Sequence, residues 1–93
     1  MAADSTHHLL LYEYVEDMAE RRGPYREAHL GHIRAQQEAG KIGMAGALGD
    51  PVNGGALVFQ GSSPEEIEEF VAADPYQEAG LIRSWRVERW NLV

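Results

Sequence analysis

The sequence predicts an α+β domain whose elements run strand, helix, strand, strand, helix, strand. Three observations carry that expectation. Short apolar or alternating segments occur near both ends and twice in the middle of the chain. A helical pattern closes on Gly40, and Ser63-Pro64-Glu65-Glu66 supplies a complete start signal for a second helix.

Met1–Thr6 is small and polar and is expected to be loosely attached, leaving a core of about residues 8–90 within a single domain, 1–93. Leu9 through Val15 reads as the first strand, with Leu10, Tyr12 and Tyr14 on its more apolar face. Glu16–Arg22 is charged and turns the chain. A helix is expected from Pro24, which suits a first helical turn, to Ala39, with Gly40 as its stop. Leu30 and Ile33 share its buried face, while Arg22, Arg34, Gln37 and Glu38 are expected to turn largely to solvent. His29, four residues before Ile33, falls at the margin of the buried stripe.

Lys41–Leu48 reads as the second strand, and its Gly43 and Gly46 mark a bulge or a close approach of ligand to backbone. Turn formers crowd residues Gly49–Gly54, and Gly55–Gln60 is a compact third strand. Ser63 can cap the second helix, with Pro64 at its first position and Glu66 completing a capping box. Ile67, Phe70 and Val71 give that helix its buried face. It should stop by Ala73, because Pro75 disfavours helical geometry at Asp74. Leu81 to Trp90 forms the last strand. The order is the split βαβ, or ferredoxin-like, plan: a four-stranded antiparallel sheet with two helices on one face. A second copy of the chain is the economical cover for the other face, so a homodimer is expected.

Eight Lys plus Arg against fifteen Asp plus Glu give a net charge of −7, which argues against nucleic acid and anionic membrane surfaces as partners. The longest apolar run near the N-terminus, Leu9–Tyr12, is far short of the roughly 20 residues that span a bilayer, and the first eight residues lack the pattern of a signal peptide. A cytoplasmic protein is expected. There is no cysteine, and the glycines lack the setting of a phosphate loop or dinucleotide fingerprint. No cofactor is expected.

Of the four histidines, His29 and His32 are three apart on one helix, but a third metal ligand is missing and no metal site is expected. His32 reads as a solvated helix residue. An imidazole at the position of His29 can move a proton at working pH if a carboxylate holds its other nitrogen; its plainer role is a half-buried histidine bonded to a backbone carbonyl. Asp74 is similarly double, a partner for His29 or simply the cap of the turn that Pro75 opens. Tyr76 is a hydrogen-bond donor to substrate or a packed aromatic. Trp85 and Trp90 read as core or dimer contacts.

Arg26-Glu27-Ala28-His29-Leu30-Gly31-His32-Ile33 and Ala73-Asp74-Pro75-Tyr76-Gln77-Glu78-Ala79-Gly80-Leu81 together resemble the two hallmark segments of YciI-like (YCII-related) proteins. Those are an Arg-x-x-His-Leu stretch opening the first helix, and an Asp-Pro-Tyr/Phe turn with a downstream Gly after the second. The resemblance runs from about His8 to Trp90. It implies a dimeric α+β barrel of ferredoxin-like subunits, similar in architecture to muconolactone isomerases and small cofactor-free monooxygenases. It also implies a His–Asp acid–base dyad in a pocket between sheet and helices, carried here by His29 and Asp74, with Tyr76, Arg26 and Gly46 as expected substrate contacts. The almost wholly apolar Met44-Ala45-Gly46-Ala47-Leu48 and the polar Gln36-Gln37 depart from the family pattern and leave the substrate open.

The function expected is therefore a cofactor-independent, lyase- or isomerase-like step on a small organic metabolite, a ring or enol compound among the candidates. A small-molecule-binding accessory domain without catalysis is the alternative, and a structural dimer with His29–Asp74 as a buried clasp is the third reading.

Overall fold

The computed structural model describes residues 6–93, so Met1–Ser5 of the segment expected to be loose lie outside it. Thr6 is tied down, its carbonyl accepting the Gly61 N–H at 3.0 Å. The first strand, β1, spans His7–Tyr14 and starts two residues before the expected Leu9. Its alternation is the expected one: Leu10, Tyr12 and Tyr14 are all buried.

Within the charged segment expected to be a turn lies a one-turn helix, α1 (Met18–Arg21), anchored by Met18, which is fully buried. Met18 and Ala19, adjacent among charges, set up no periodicity, which is why the pattern missed it. The helix α2 spans Gly23–Glu38 and stops where expected. Gly40 takes φ +76°, and the N–H groups of Gly40 and Lys41 bond back to the carbonyls of Gln37 and Gln36.

The strands β2 (Ile42–Leu48) and β3 (Gly54–Gln60) form the hairpin, with a register shift between Ile42 and Ala45, across Gly43. The helix α3 (Pro64–Ala72) opens on the complete capping box: Ser63 Oγ accepts the Glu66 N–H at 3.1 Å and Glu66 Oε1 accepts the Ser63 N–H at 2.8 Å. After Asp74 comes a short helix, α4 (Pro75–Glu78), and the chain ends in β4 (Ile82–Trp90).

The sheet order is β2-β3-β1-β4, with every neighbouring pair antiparallel. β1 and β2 are consequently parallel to each other with β3 between them, and β3 and β4 are parallel with β1 between, the ferredoxin-like arrangement. Leu10, Tyr12, Leu57 and Phe59 turn to the helix-covered face, where they meet Ile33, Ile67, Phe70 and Val71 in one core. The opposite face carries Leu9, Leu11, Ala56 and Val58, each only half-buried. Among the described residues no helix is long and apolar enough to cross a membrane.

Candidate active site

The joint between α3 and α4 creates the site's anchor. Pro75 forbids helical geometry at the residue before it, so Asp74 is extended (φ −71°, ψ 125°) and its carboxylate folds back over the new helix start. Its Oδ1 accepts the Tyr76 N–H at 2.9 Å, the cap expected of an Asp-Pro turn. The cap is also a partner for two other elements. The same Oδ1 lies 2.8 Å from His29 Nδ1 on α2, and Oδ2 accepts the Tyr12 hydroxyl of β1 at 2.9 Å.

Asp74 is fully buried, and three donors surround it. A carboxylate bonded in this way only accepts, so Nδ1 of His29 is the donor to it, and in the neutral ring that tautomer has its lone pair on Nε2. His29 is 6% exposed; its Nε2 has no hydrogen-bond partner among the described residues, yet it is not sealed off as His8 Nδ1 is. The Tyr76 ring stacks on the imidazole at 3.7 Å with planes 7° apart, and Tyr14 meets Tyr76 edge-on at 5.8 Å. Nδ1 is thus fixed by Asp74 and the ring plane by Tyr76.

His29 and Tyr76 open onto a cavity of about 400 Å³ between α2, α4 and the edge of the sheet. Leu30, Ile33, Ala45, Ala47 and Leu57 give it apolar walls, and Arg22, Arg26, Arg34 and Tyr14 supply its polar groups. Burial raises the pKa of both the Tyr14 and Tyr76 hydroxyls; the charge of Arg22 opposes the rise at each, and that of Arg26 also opposes it at Tyr76. Both remain phenols near neutrality and present O–H donors. Burial and then the Asp74 charge push Tyr12 further in the same direction.

Four of the five residues singled out in the sequence, Arg26, His29, Gly46 and Tyr76, line this cavity, and Asp74 stands behind His29. Gly46 pairs with Ala56, so its missing side chain would point to the open sheet face, and a Cβ built there meets nothing within 4 Å. It therefore contributes bare backbone. His32 is not the solvated residue expected: Nε2 is 2.8 Å from the Phe70 carbonyl and the ring stacks on Phe70 at 4.1 Å. Arg34 and Gln37 are exposed, as expected, and also border the cavity, whereas Arg22 is only half-exposed and lines it. Trp90 is exposed and Trp85 packs against the core.

Sequence reasoning missed the roles of Tyr12 and Tyr14. In an alternating strand they read as apolar, and the available signal was that a buried tyrosine hydroxyl needs a partner or a wet cavity. Gly55 makes room for one of them, since a Cβ there would come within 2.8 Å of the Tyr14 hydroxyl oxygen. Among the described residues no three His, Cys, Asp or Glu gather as metal ligands.

Residues 6–91 match the model of the YCII-related domain. The chain belongs to the YCII-related family. No curated protein sequence matches it significantly. Among solved structures, this YCII-related domain is similar to 5-chloro-2-hydroxyhydroquinone dehydrochlorinase from Burkholderia phenoliruptrix AC1100, in complex with 2,5-dihydroxybenzoquinone. That match has a TM-score of 0.80 and 25% identity, covering 94% of this chain and 95% of the other. The ferredoxin-like fold read from element order is thus also that of a family relative.

Proposed function

We propose that this YCII-related domain is a cofactor-independent, cytoplasmic enzyme that moves a proton on a small ring or enol compound, working as a homodimer. One observation carries the reading: a buried imidazole held at Nδ1 by a carboxylate, with Nε2 open to an organic-sized cavity. That is the geometry a general base requires. Nε2 takes a proton from a hydroxyl or ring carbon of the substrate, and Asp74 stabilises the imidazolium that forms. The electron pair left behind expels a leaving group, or the proton returns at another atom of the conjugated system. The first outcome is a lyase step and the second an isomerisation. Tyr76, Arg26 and the Gly46 backbone are the proposed substrate contacts. Similarity to a dehydrochlorinase acting on a hydroxylated ring supports this chemical class.

The test is turnover of hydroxylated ring compounds in deuterated water, with the neighbour's chlorinated hydroxyhydroquinone among them, followed by chloride release and deuterium incorporation. Wild type is expected to turn over at least one. His29→Ala is expected to lose about 10²- to 10⁴-fold, the usual span for a general base, with its fold retained by circular dichroism. Binding without turnover by wild type would make the domain an accessory binding module. Turnover undiminished in His29→Ala would remove the imidazole from the chemistry.

A further inference from the structure

Only eight of 93 residues are Lys or Arg, in a chain of net charge −7, yet Arg22, Arg26 and Arg34 all line one cavity. No Asp or Glu lines it. Arg34 lies 4.0 Å from Glu27, both exposed, whereas Arg22 and Arg26 form no ion pair among the described residues. Their placement also opposes local preference. Arg22 is the N-cap of α2 and Arg26 sits one turn later, at the positive end of the helix, whose first turn has no acidic residue. Two like charges four residues apart on a helix repel one another. Such a local conflict, with no carboxylate among the described residues to relieve it and only the Tyr76 hydroxyl beside Arg22, is the kind found at functional positions.

The groups beside the arginines have one common polarity. The Tyr14 and Tyr76 hydroxyls, both on buried side chains, have no hydrogen-bond acceptor among the described residues. Along α2 the series Arg22, Arg26, His29, Leu30, Ile33 follows a single helical stripe, so guanidinium groups give way to imidazole and then to apolar wall. A ligand following this stripe carries its negative oxygen at the arginine end and its hydrocarbon against Leu30, Ile33 and Leu57.

We infer that the cavity selects a planar ring compound already bearing an ionised oxygen, a phenolate or enolate, held by Arg22 and Arg26 with the Tyr76 hydroxyl. This deepens the acid–base reading and rests on it for the reaction, but not for the binding. Guanidinium groups supply charge and several N–H donors to such an oxygen and also stack on flat rings, and the planar faces of the stacked His29 and Tyr76 border the same cavity.

Binding of 2,4-dinitrophenolate and 2,4-dinitroaniline at pH 7.5, measured by calorimetry, tests this directly: the two have the same ring and size, but only the first is an anion. The anion is expected to bind at least tenfold more tightly. Arg22→Met combined with Arg26→Met, which keeps the apolar stems, is expected to bring that ratio below about threefold, and each single variant to fall between. Equal affinity in wild type, failure of the anion to bind, or a preference that survives the double variant overturns the inference. His29→Ala separates the two claims. If the anion preference survives there while turnover is lost, both stand. If the preference is absent in wild type yet turnover still needs His29, only the anion selection is wrong. If the preference holds and turnover ignores His29, only the acid–base reading falls.

Discussion

Asp74 holds three elements together through two oxygens, so each donor around it has a separate consequence. Removing the Tyr12 hydroxyl leaves Oδ2 buried and unpaired, at a cost of about 1–3 kcal/mol. Tyr12→Phe is accordingly expected to lower the urea midpoint while leaving the sheet intact. Because the folded-state pKa of Tyr12 is raised, its stabilising contribution is complete below the ordinary phenol value, roughly 10, and is lost as pH rises through the higher folded value. The stability gap between wild type and Tyr12→Phe should therefore narrow above that pH; a gap that stays constant or widens there refutes the assignment. At this scale the sequence was read unevenly. His29 and Asp74 were singled out, but the contact between residues 45 apart came from a family resemblance, since helix periodicity placed His29 only at a margin. Arg22 was turned to solvent because a charge beside a helix start usually is, and nothing local reveals a cavity formed by the distant Ala45–Ala47 segment.

Elements with a chemical start or stop signal were the legible ones. Ser63, Pro64 and Glu66 gave the beginning of α3, and Gly40 the end of α2. The single turns α1 and α4 were not legible, being held by Met18 and by the Asp74 cap rather than by any repeat. The capping box also gives a pH dependence. The Ser63 backbone N–H and then the Lys41 ammonium hold the Glu66 carboxyl below its usual range. A depressed folded pKa means that the contribution is present above the unfolded value, roughly 4.3, and is lost as pH falls through the folded one. Glu66→Gln is expected to melt below wild type at pH 7 and together with it near pH 2. Equal deficits at both would show that the charge contributes nothing. Ser63→Ala is expected to cost about 0.5–2 kcal/mol at neutral pH, without changing ligand binding.

For the whole molecule, the order of elements determined the fold because antiparallel neighbours and right-handed crossovers leave few arrangements. What element order does not supply is a cover for the second sheet face. Leu9, Leu11, Ala56 and Val58 form a half-buried apolar strip there, and Trp90, 41% exposed, lies beside it on the same face. The proposed homodimer buries this strip. Sedimentation at micromolar concentration is expected to give a dimer, and Leu9→Glu with Val58→Glu to give a monomer. A folded wild-type monomer would leave the face to another partner.

The central claim is that Asp74 fixes the His29 imidazole with its proton on Nδ1, keeping Nε2 as the group that meets substrate. The direct measurement is a long-range ¹⁵N–¹H correlation spectrum of the labelled protein at pH 8, with His29 assigned by its absence from His29→Gln. The expected result is a neutral ring protonated at Nδ1 and bare at Nε2, with the tautomers mixing in Asp74→Asn. A ring protonated at Nε2, or one that Asp74→Asn leaves unchanged, contradicts the account.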